Sequence, residues 1–268
     1  MNGIVANIIF NKRSMIFASV LLFALLLTTE AGRLQNGTMK TLISLLVFDP
    51  GNSLAEKQNA VQLMGSVNSS TLYILYPVTG ALIAGIPFCV QKNTDYLRFM
   101  MARVKIKSII LVYLITVLLM AFAVALFSTT GFMLSCFWLD KKPTFDGDFF
   151  KLFLNKWFVL LWLVFISAML SLALASLWSN PYFVVSVPVL ISYVLMSLTN
   201  VLILQEGEIN GFGIKVQYLS LLDPALMLTP GNTGMLGFPV IFSYYAGTIV
   251  VSAAAAAFYM NRSLRRFV

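Results

Sequence analysis

The run at 108–129, SIILVYLITVLLMAFAVALFST, has no charged side chain over its whole length. About 20 residues of helix cross the roughly 30 Å of hydrocarbon in a bilayer, and a helix satisfies its own backbone hydrogen bonds there. Hydrophobic residues make up 59% of the chain, charged residues only 10%, and the mean hydropathy is +0.88. Soluble domains are about 25% charged. The sequence therefore predicts an all-α integral membrane protein.

Six apolar stretches are long enough to span a bilayer as helices. They lie at 14–30, 71–90, 108–129, 157–178, 182–203 and 237–260. The first has a short apolar core and follows Lys12 and Arg13, as in a signal peptide. We favour an uncleaved span after a short amphipathic segment, because TTEAGR is a poor cleavage site and GIVANIIF is too apolar for a leader. Residues 1–268 are predicted to form one transmembrane domain.

The Lys and Arg residues predict the orientation of these spans, because cytoplasmic loops carry an excess of them. With the N-terminus inside, the inner segments hold ten basic residues and one acid, Asp95, whereas the outer segments hold eight basic and nine acidic residues. The net charge of +8 is therefore a topology signal, and we expect no nucleic-acid partner. Both termini are predicted to be cytoplasmic.

One inner connection, 91–107 (QKNTDYLRFMMARVKIK), holds five Lys or Arg against one Asp. Thr94 can cap a helix of about three turns that continues through Val104. On such a helix the i, i+3, i+4 spacing places one mainly apolar set on a single side. That set is Tyr96, Phe99, Met100 and Arg103. The charges alone fit an anchor on lipid headgroups, but an anchor leaves the aromatic and methionine residues unexplained.

The sequence lacks residues that most catalytic or ion-coupled mechanisms need. It has no G-x-x-x-x-G-K-[ST] phosphate loop and no His, which removes the common ATP site, imidazole base and metal ligand. Cys89 and Cys136 fall at opposite ends of their spans, so we expect separate buried or lipid-facing thiols. No ionisable residue lies at mid-depth in a span, which disfavours an ion-coupled carrier. We predict no enzyme, no metal site and no cofactor in this chain.

The spans and outer loops also carry packing signals. Small residues around Gly80 and Gly85 predict close helix packing in the second span, and Asn200 in the fifth is expected to point inward. The outer segment 41–48, TLISLLVF, is too short to span and is predicted to be interfacial or re-entrant. QYLSLLDPALML, within 204–236, predicts a short amphipathic helix broken at its proline.

This layout resembles the permease subunits of type-2 ATP-binding-cassette exporters over nearly the whole chain. The shared features are an amphipathic N-terminal segment, six spans with both ends inside, a minimal inner loop at 179–181 and a short apolar outer helix before the last span. In that family the connection between spans two and three is the coupling helix that docks on a separate ATPase. It matches 91–107. The family tends to place an acidic residue and Gly-Thr before this helix, where this chain has Lys92, Asn93 and Thr94.

The resemblance implies roles for particular residues. Docking on the ATPase would use an apolar knob with charged residues around it: Asp95, Tyr96, Arg98, Phe99, Met100 and Arg103. Helices that match spans two and five line the pathway in the family, which implies these pathway residues: Tyr76, Thr79, Ser192, Thr199 and Asn200. The implied partners are the bilayer, a second permease chain (identical or a sister) and two ATPase subunits, which bind the ATP and Mg²⁺.

The resemblance further implies an exporter in the plasma membrane, in an arrangement typical of bacteria. We expect an amphipathic peptide, a lantibiotic or a drug as substrate, because an uncharged, aromatic-rich interior suits molecules taken from the membrane. A polysaccharide or lipid exporter is the first alternative, although MNGIVANIIFNKR is short and weakly basic for that class. The second alternative is a membrane sensor or assembly subunit that recruits a cytoplasmic protein without transport.

Overall fold

The computed structural model describes residues 12–28, 30–33, 39–48, 63, 70–94, 96–139, 147–204 and 238–266. Within them the chain is helical except for turns and one short hairpin. The helices are α1 (Lys12–Leu26), α2 (Leu42–Phe48), α3 (Ser70–Gly80), α4 (Ile86–Asn93), α5 (Tyr96–Met101), α6 (Ile106–Leu139), α7 (Gly147–Leu177), α8 (Pro181–Leu204) and α9 (Phe238–Arg265). A π-helical turn, Ala81–Gly85, joins α3 to α4. The helix predicted at QYLSLLDPALML lies outside the described residues.

Three of the described helices are long and apolar enough to cross a membrane. They comprise Ile106–Leu139, Phe149–Leu177 and Ser243–Arg265. The 34-residue α6 continues well past the predicted end at 129, since no charged side chain interrupts it after Lys107. The other predicted spans, 14–30, 71–90 and 182–203, coincide with α1, with α3 and α4, and with α8. The predicted helical class is confirmed for the described chain, which is a candidate multi-pass membrane protein.

Helix α1 ends earlier than the predicted span 14–30, at Leu26. The Thr28 hydroxyl donates a hydrogen bond to the backbone oxygen of Leu25 at 2.6 Å. A Thr side chain that bonds to its own backbone offers an alternative to the next helical turn. The helix therefore ends before the predicted end of this span, at 30.

A hairpin and α2 follow α1. Strand β1 (Glu30–Arg33) pairs with strand β2 (Met39–Thr41) in antiparallel orientation. Helix α2 then covers most of the segment predicted to be interfacial or re-entrant, 41–48, and two of its leucines are buried. The Ile43 N–H donates to the Leu27 oxygen at 2.9 Å, which fastens α2 to the end of α1. This apolar segment is a short packed helix.

Helix α7 begins before the predicted start of its span. The predicted fourth span begins at 157, whereas α7 begins at Gly147. Lys156, which the sequence reading assigns to the outer loop, is only 5% exposed, and its ammonium lies 4.3 Å from the centre of the Phe132 ring on α6. The negative face of an aromatic ring attracts a cation, so the lysine can lie inside the helix pair.

The π-helical turn and its flanking helices pack directly on the backbone of α7. A Cβ atom added at Gly80 would lie 2.5 Å from the backbone nitrogen of Ala168. One added at Gly85 would lie 2.9 Å from Ser171 Cβ and would also collide with Val184 of α8. At contacts this close, a side chain larger than hydrogen requires neighbouring atoms to shift. The predicted close packing around both glycines is confirmed.

Helix α9 runs parallel to α7, because the contacts between them advance in the same direction along both helices. Tyr245 packs on Phe158 with ring centres 5.6 Å apart, and Thr248, one turn later, accepts a hydrogen bond from Trp162 at 2.9 Å. Both helices therefore end on the same side, where α4 contacts the last turn of α7. We call this side the basic end and define it as residues 89–107, 175–183 and 262–266.

Candidate functional site

The basic end contains α5, the short helix between α4 and α6. The predicted helix of three turns through Val104 is too long, because α5 has six residues, Tyr96–Met101. The backbone nitrogens of Arg103 and Val104 both bond to the Met100 oxygen, at 3.0 and 2.9 Å, which closes the helix in a tight turn. Helix α5 is therefore held as a single compact turn and a half between two longer helices.

Thr94 does not have the predicted role at the start of α5. Its hydroxyl donates to the Val90 oxygen at 2.9 Å, so the side chain bonds back to the last turn of α4. A Thr hydroxyl can cap a following helix or bond to a preceding carbonyl, and here it does the second. Asp95, predicted to take part in docking, lies outside the described residues.

The two sides of α5 have opposite environments. Leu97 and Met100 are buried, with 1% and 4% of their surfaces exposed, whereas Phe99 is 54% exposed. Met100 follows Leu97 by three residues, which places both on the same side of a helix. The prediction that Met100 shares an exposed face with Phe99 is therefore wrong. Met100 and the overlooked Leu97 anchor α5 to the bundle.

Phe99 is the centre of the exposed side. The Arg103 guanidinium lies over its ring at 4.2 Å, and the Tyr96 ring is 6.4 Å away. Arg98 is exposed beside it. An aromatic ring covered by a guanidinium presents apolar area and positive charge together, a combination that recurs at the centres of protein interfaces. We call Tyr96, Arg98, Phe99 and Arg103 the docking surface.

A second group of contacts joins α4 to the end of α7. The Lys92 ammonium donates to the backbone oxygens of Ala175 at 3.3 Å and Ser176 at 2.9 Å. The Asn93 amide donates to the Ser179 oxygen at 3.1 Å. Burial lowers the pKa of Lys92, which the neighbouring Cys89 partly opposes. Sequence reasoning counted Lys92 only as a loop charge and missed these bonds.

The connection between α7 and α8 is as short as the sequence predicts. Helix α7 ends at Leu177 and α8 begins at Pro181. The Asn180 side-chain oxygen accepts a hydrogen bond from the Tyr182 backbone N–H at 2.9 Å. Asn before a proline at the first helical position is a common N-terminal cap. The carbonyl groups that α4 contacts therefore lie in the last turn of α7 and in the short connection that follows it.

The proposed pathway residues lie on α3 and α8, which pack against each other. Thr79 is completely buried and donates its hydroxyl hydrogen to the Tyr76 oxygen at 2.6 Å. Tyr76 and Ser192 are half-buried, on α3 and α8 respectively. Thr199 and Asn200 belong to α8, but their side chains lie outside the described part of the structure. A shared lining of one pathway remains a prediction.

The cysteines and acidic residues of the described ranges are the remaining candidates for site chemistry. Cys89 and Cys136 are both buried and free, as predicted. In the described ranges, no three His, Cys, Asp or Glu side chains come together in a way that could hold a metal ion. No protein-family model matches the sequence, and no curated protein is similar to it. The docking surface and the contacts that hold it in the bundle are the features of this chain that bear on function.

Proposed function

We propose that this chain is the transmembrane subunit of a type-2 ATP-binding-cassette exporter, with six spans and both termini in the cytoplasm. In this proposal a separate ATPase subunit binds the docking surface and hydrolyses ATP with Mg²⁺. Two permease chains, identical or sister, enclose the pathway. The substrate is an amphipathic peptide, a lantibiotic or a drug-like molecule, and a polysaccharide or lipid is the alternative.

The observation that carries this proposal is the two-sided character of α5. Its inward residues, Leu97 and Met100, are buried, while Phe99 is presented outward beneath Arg103. A helix fixed on one side and carrying an aromatic anchor with cations on the other is suited to insertion into a groove with an acidic rim. A lipid anchor needs no such fixed inward side, because it only has to lie on the headgroups.

The position of the C-terminal helix gives further support. Arg266 lies close enough to Lys92 to influence it electrostatically, so the end of α9 and the start of the 91–107 connection share one side of the bundle. The excess of Lys and Arg on this side is typical of a cytoplasmic face. This arrangement supports a cytoplasmic C-terminus and a cytoplasmic docking surface.

Purification from membranes of the native host tests the proposal. We expect an ATP-binding-cassette ATPase to co-purify with the wild-type chain in mild detergent. Phe99→Asp should weaken that association by at least about tenfold, as loss of an interface hot spot does. The matched control is Tyr182→Asp, which changes an exposed aromatic residue at the same end but in the first turn of α8.

The outcomes separate the competing functions. Co-purification of an ATPase that is lost with Phe99→Asp and kept with Tyr182→Asp supports docking at α5. Equal recovery of the ATPase with both variants would show that α5 is not part of the interface with the ATPase. If the ATPase rate of the complex is unchanged by every amphipathic peptide and drug tested, the chain is better described as a sensor or assembly subunit.

A further inference from the structure

The bonds from α4 to α7 occupy a position where a helix needs partners. The last carbonyl groups of a helix have no bonding partner within it, and together they carry a partial negative charge. Ala175 and Ser176 belong to the last turn of α7, and the Lys92 ammonium bonds to both of their oxygens. Lys92 therefore supplies α7 with a cationic cap from another helix.

Three residues of α4 contribute to this cap from one helical face. Cys89, Lys92 and Asn93 have the i, i+3, i+4 spacing that aligns side chains on one side. The Cys89 sulfur lies 3.8 Å from the Trp178 oxygen, and the Asn93 amide bonds to the next carbonyl, that of Ser179. The contacts follow the chain in order from the last turn of α7 into its connection with α8.

The chain continues from this cap almost directly into the docking surface. Only Thr94 and residue 95 separate Asn93 from the start of α5 at Tyr96. In the π-helical turn directly before α4, Gly85 lies against Ser171 of α7. The part of the chain that carries α5 is thus joined to α7 at two levels, through backbone contact and through the cap.

We propose that Lys92 and Asn93 are positioning residues that lock α5 to the C-terminal end of α7, so that movement of the docking surface is transmitted along α7. This inference rests on the proposed function, because an ATPase on α5 supplies the movement. The cap behaves as a fixed joint and stays closed while α5 and the end of α7 move together. A lysine that served only as a topology signal would extend toward lipid phosphates instead of helix carbonyls.

A cross-link tests the joint without any ATPase. Asn93→Cys with Ser179→Cys, treated in native membranes with a short thiol-reactive bifunctional reagent, should be cross-linked efficiently. After cleavage at a protease site inserted between α6 and α7, the cross-link keeps the two fragments joined, so that they migrate together on a denaturing gel. Each single cysteine variant is the control, and the native Cys89 and Cys136 are buried. Absence of the cross-link in the double variant would contradict the proposed contact between α4 and the end of α7.

A label at the other end of α7 tests transmission. Phe150, 60% exposed in the first turn of α7, is replaced by cysteine and labelled with an environment-sensitive fluorophore in the purified complex. We expect ATP with vanadate to change the fluorescence in the wild-type background, Lys92→Met to abolish that change, and Lys92→Arg to preserve it. Amounts of co-purified ATPase should be equal in all three, which separates transmission from docking.

Each remaining outcome decides between the two proposals. An unaltered fluorescence change with Lys92→Met would overturn transmission through the cap while leaving docking intact. Loss of the ATPase itself with Lys92→Met would show that Lys92 acts in docking and not in transmission. If no ATPase accompanies even the wild-type chain, the proposed function fails and the transmission role fails with it, whereas the cross-link still reports the joint.

Discussion

Helices α4 and α9 both pack on α7 and both end at the basic end, but they pack by different means. The segment leading into α4 brings Gly80 and Gly85 so close to α7 that an added Cβ would collide with Ser167 Oγ at Gly80 and would lie 2.9 Å from Ser171 Cβ at Gly85. Helix α9 instead meets α7 through large rings, and Trp162 lies edge to face with Tyr245 at a centroid distance of 4.7 Å. Gly247, on α9, has nothing within 4 Å of where a Cβ would be.

This difference bears on which helix can carry movement from the docking surface. Backbone contact through glycine leaves no room for rotation or sliding, because interiors are close-packed and every displaced atom meets another. Ring contacts between side chains can adjust by rotation about their χ angles. The segment that leads through α4 into α5 is attached to α7 by the close glycine contacts. We therefore expect α5 and α7 to move together and α9 to follow less closely.

The largest expected effect extends this comparison to α5 itself. If α5 belongs to the rigid side, its inward face should be intolerant of change. Met100→Ala should lower the free energy of unfolding by about 2–5 kcal/mol, the range for truncating a buried Met. Phe99→Ala, on the exposed side, should change it by less than about 0.5 kcal/mol.

The measurement is unfolding in SDS-containing mixed micelles, with folded yield as a second readout. Equal effects of the two substitutions would mean that α5 is not anchored through Leu97 and Met100. The two substitutions also distinguish effects on folding from effects on docking. Phe99→Ala should impair recovery of the ATPase while leaving the unfolding transition in place.

A smaller effect comes from the two kinds of glycine. Gly80→Ala places a methyl group 2.5 Å from the Ala168 nitrogen, and overpacking of this kind costs about 1–3 kcal/mol. Gly247→Ala meets nothing and should stabilise α9 by about 0.5–1 kcal/mol, because alanine loses less backbone freedom than glycine in a helix. The two substitutions should therefore shift the unfolding midpoint in opposite directions. Shifts of the same sign would contradict the difference between the helices.

The sequence predicts the helical class well, and its errors have physical causes. Long apolar runs predict where the helices lie, because a chain in lipid must satisfy its backbone hydrogen bonds internally. The ends of the helices follow less directly from the sequence than their existence does. Hydropathy reads Lys156 as the edge of a loop, whereas the structure buries it against Phe132. The pairing of a lysine with a ring on another helix depends on the tertiary arrangement, which a pattern along one chain does not contain.

The candidate site is predicted in part for the same reason. Its location follows from the charge and aromatic content of 91–107, and the exposed Phe99 and Arg103 belong to the predicted set. The predicted face assigns Met100 to the outside, because spacing shows which residues share a side but not which side faces the bundle. The bonds of Lys92 to α7 carbonyls and of Asn93 to the Ser179 carbonyl after α7 have no signal in the sequence, since backbone oxygens are the same at every position.

The smallest expected effect concerns the polar bond within the ring contact of α9. Trp162 donates its indole hydrogen to Thr248, so Thr248→Val removes an interhelical bond while keeping the volume of the side chain. Such bonds average about 0.6 kcal/mol in membrane proteins. Ser252→Ala is the matched control, because within the described part of the chain Ser252 donates its hydrogen bond to the Ile249 oxygen of its own helix.

A double-mutant cycle with Trp162→Phe isolates the bond, since it cancels the separate effects of the two side chains. We expect a coupling of about 0.6 kcal/mol between Thr248 and Trp162 and none between Ser252 and Trp162. A coupling as large as the cost of Gly80→Ala would make α9 as firmly attached as α4. The docking surface would then be joined to both C-terminal helix ends equally, and transmission through α7 alone would no longer follow from the packing.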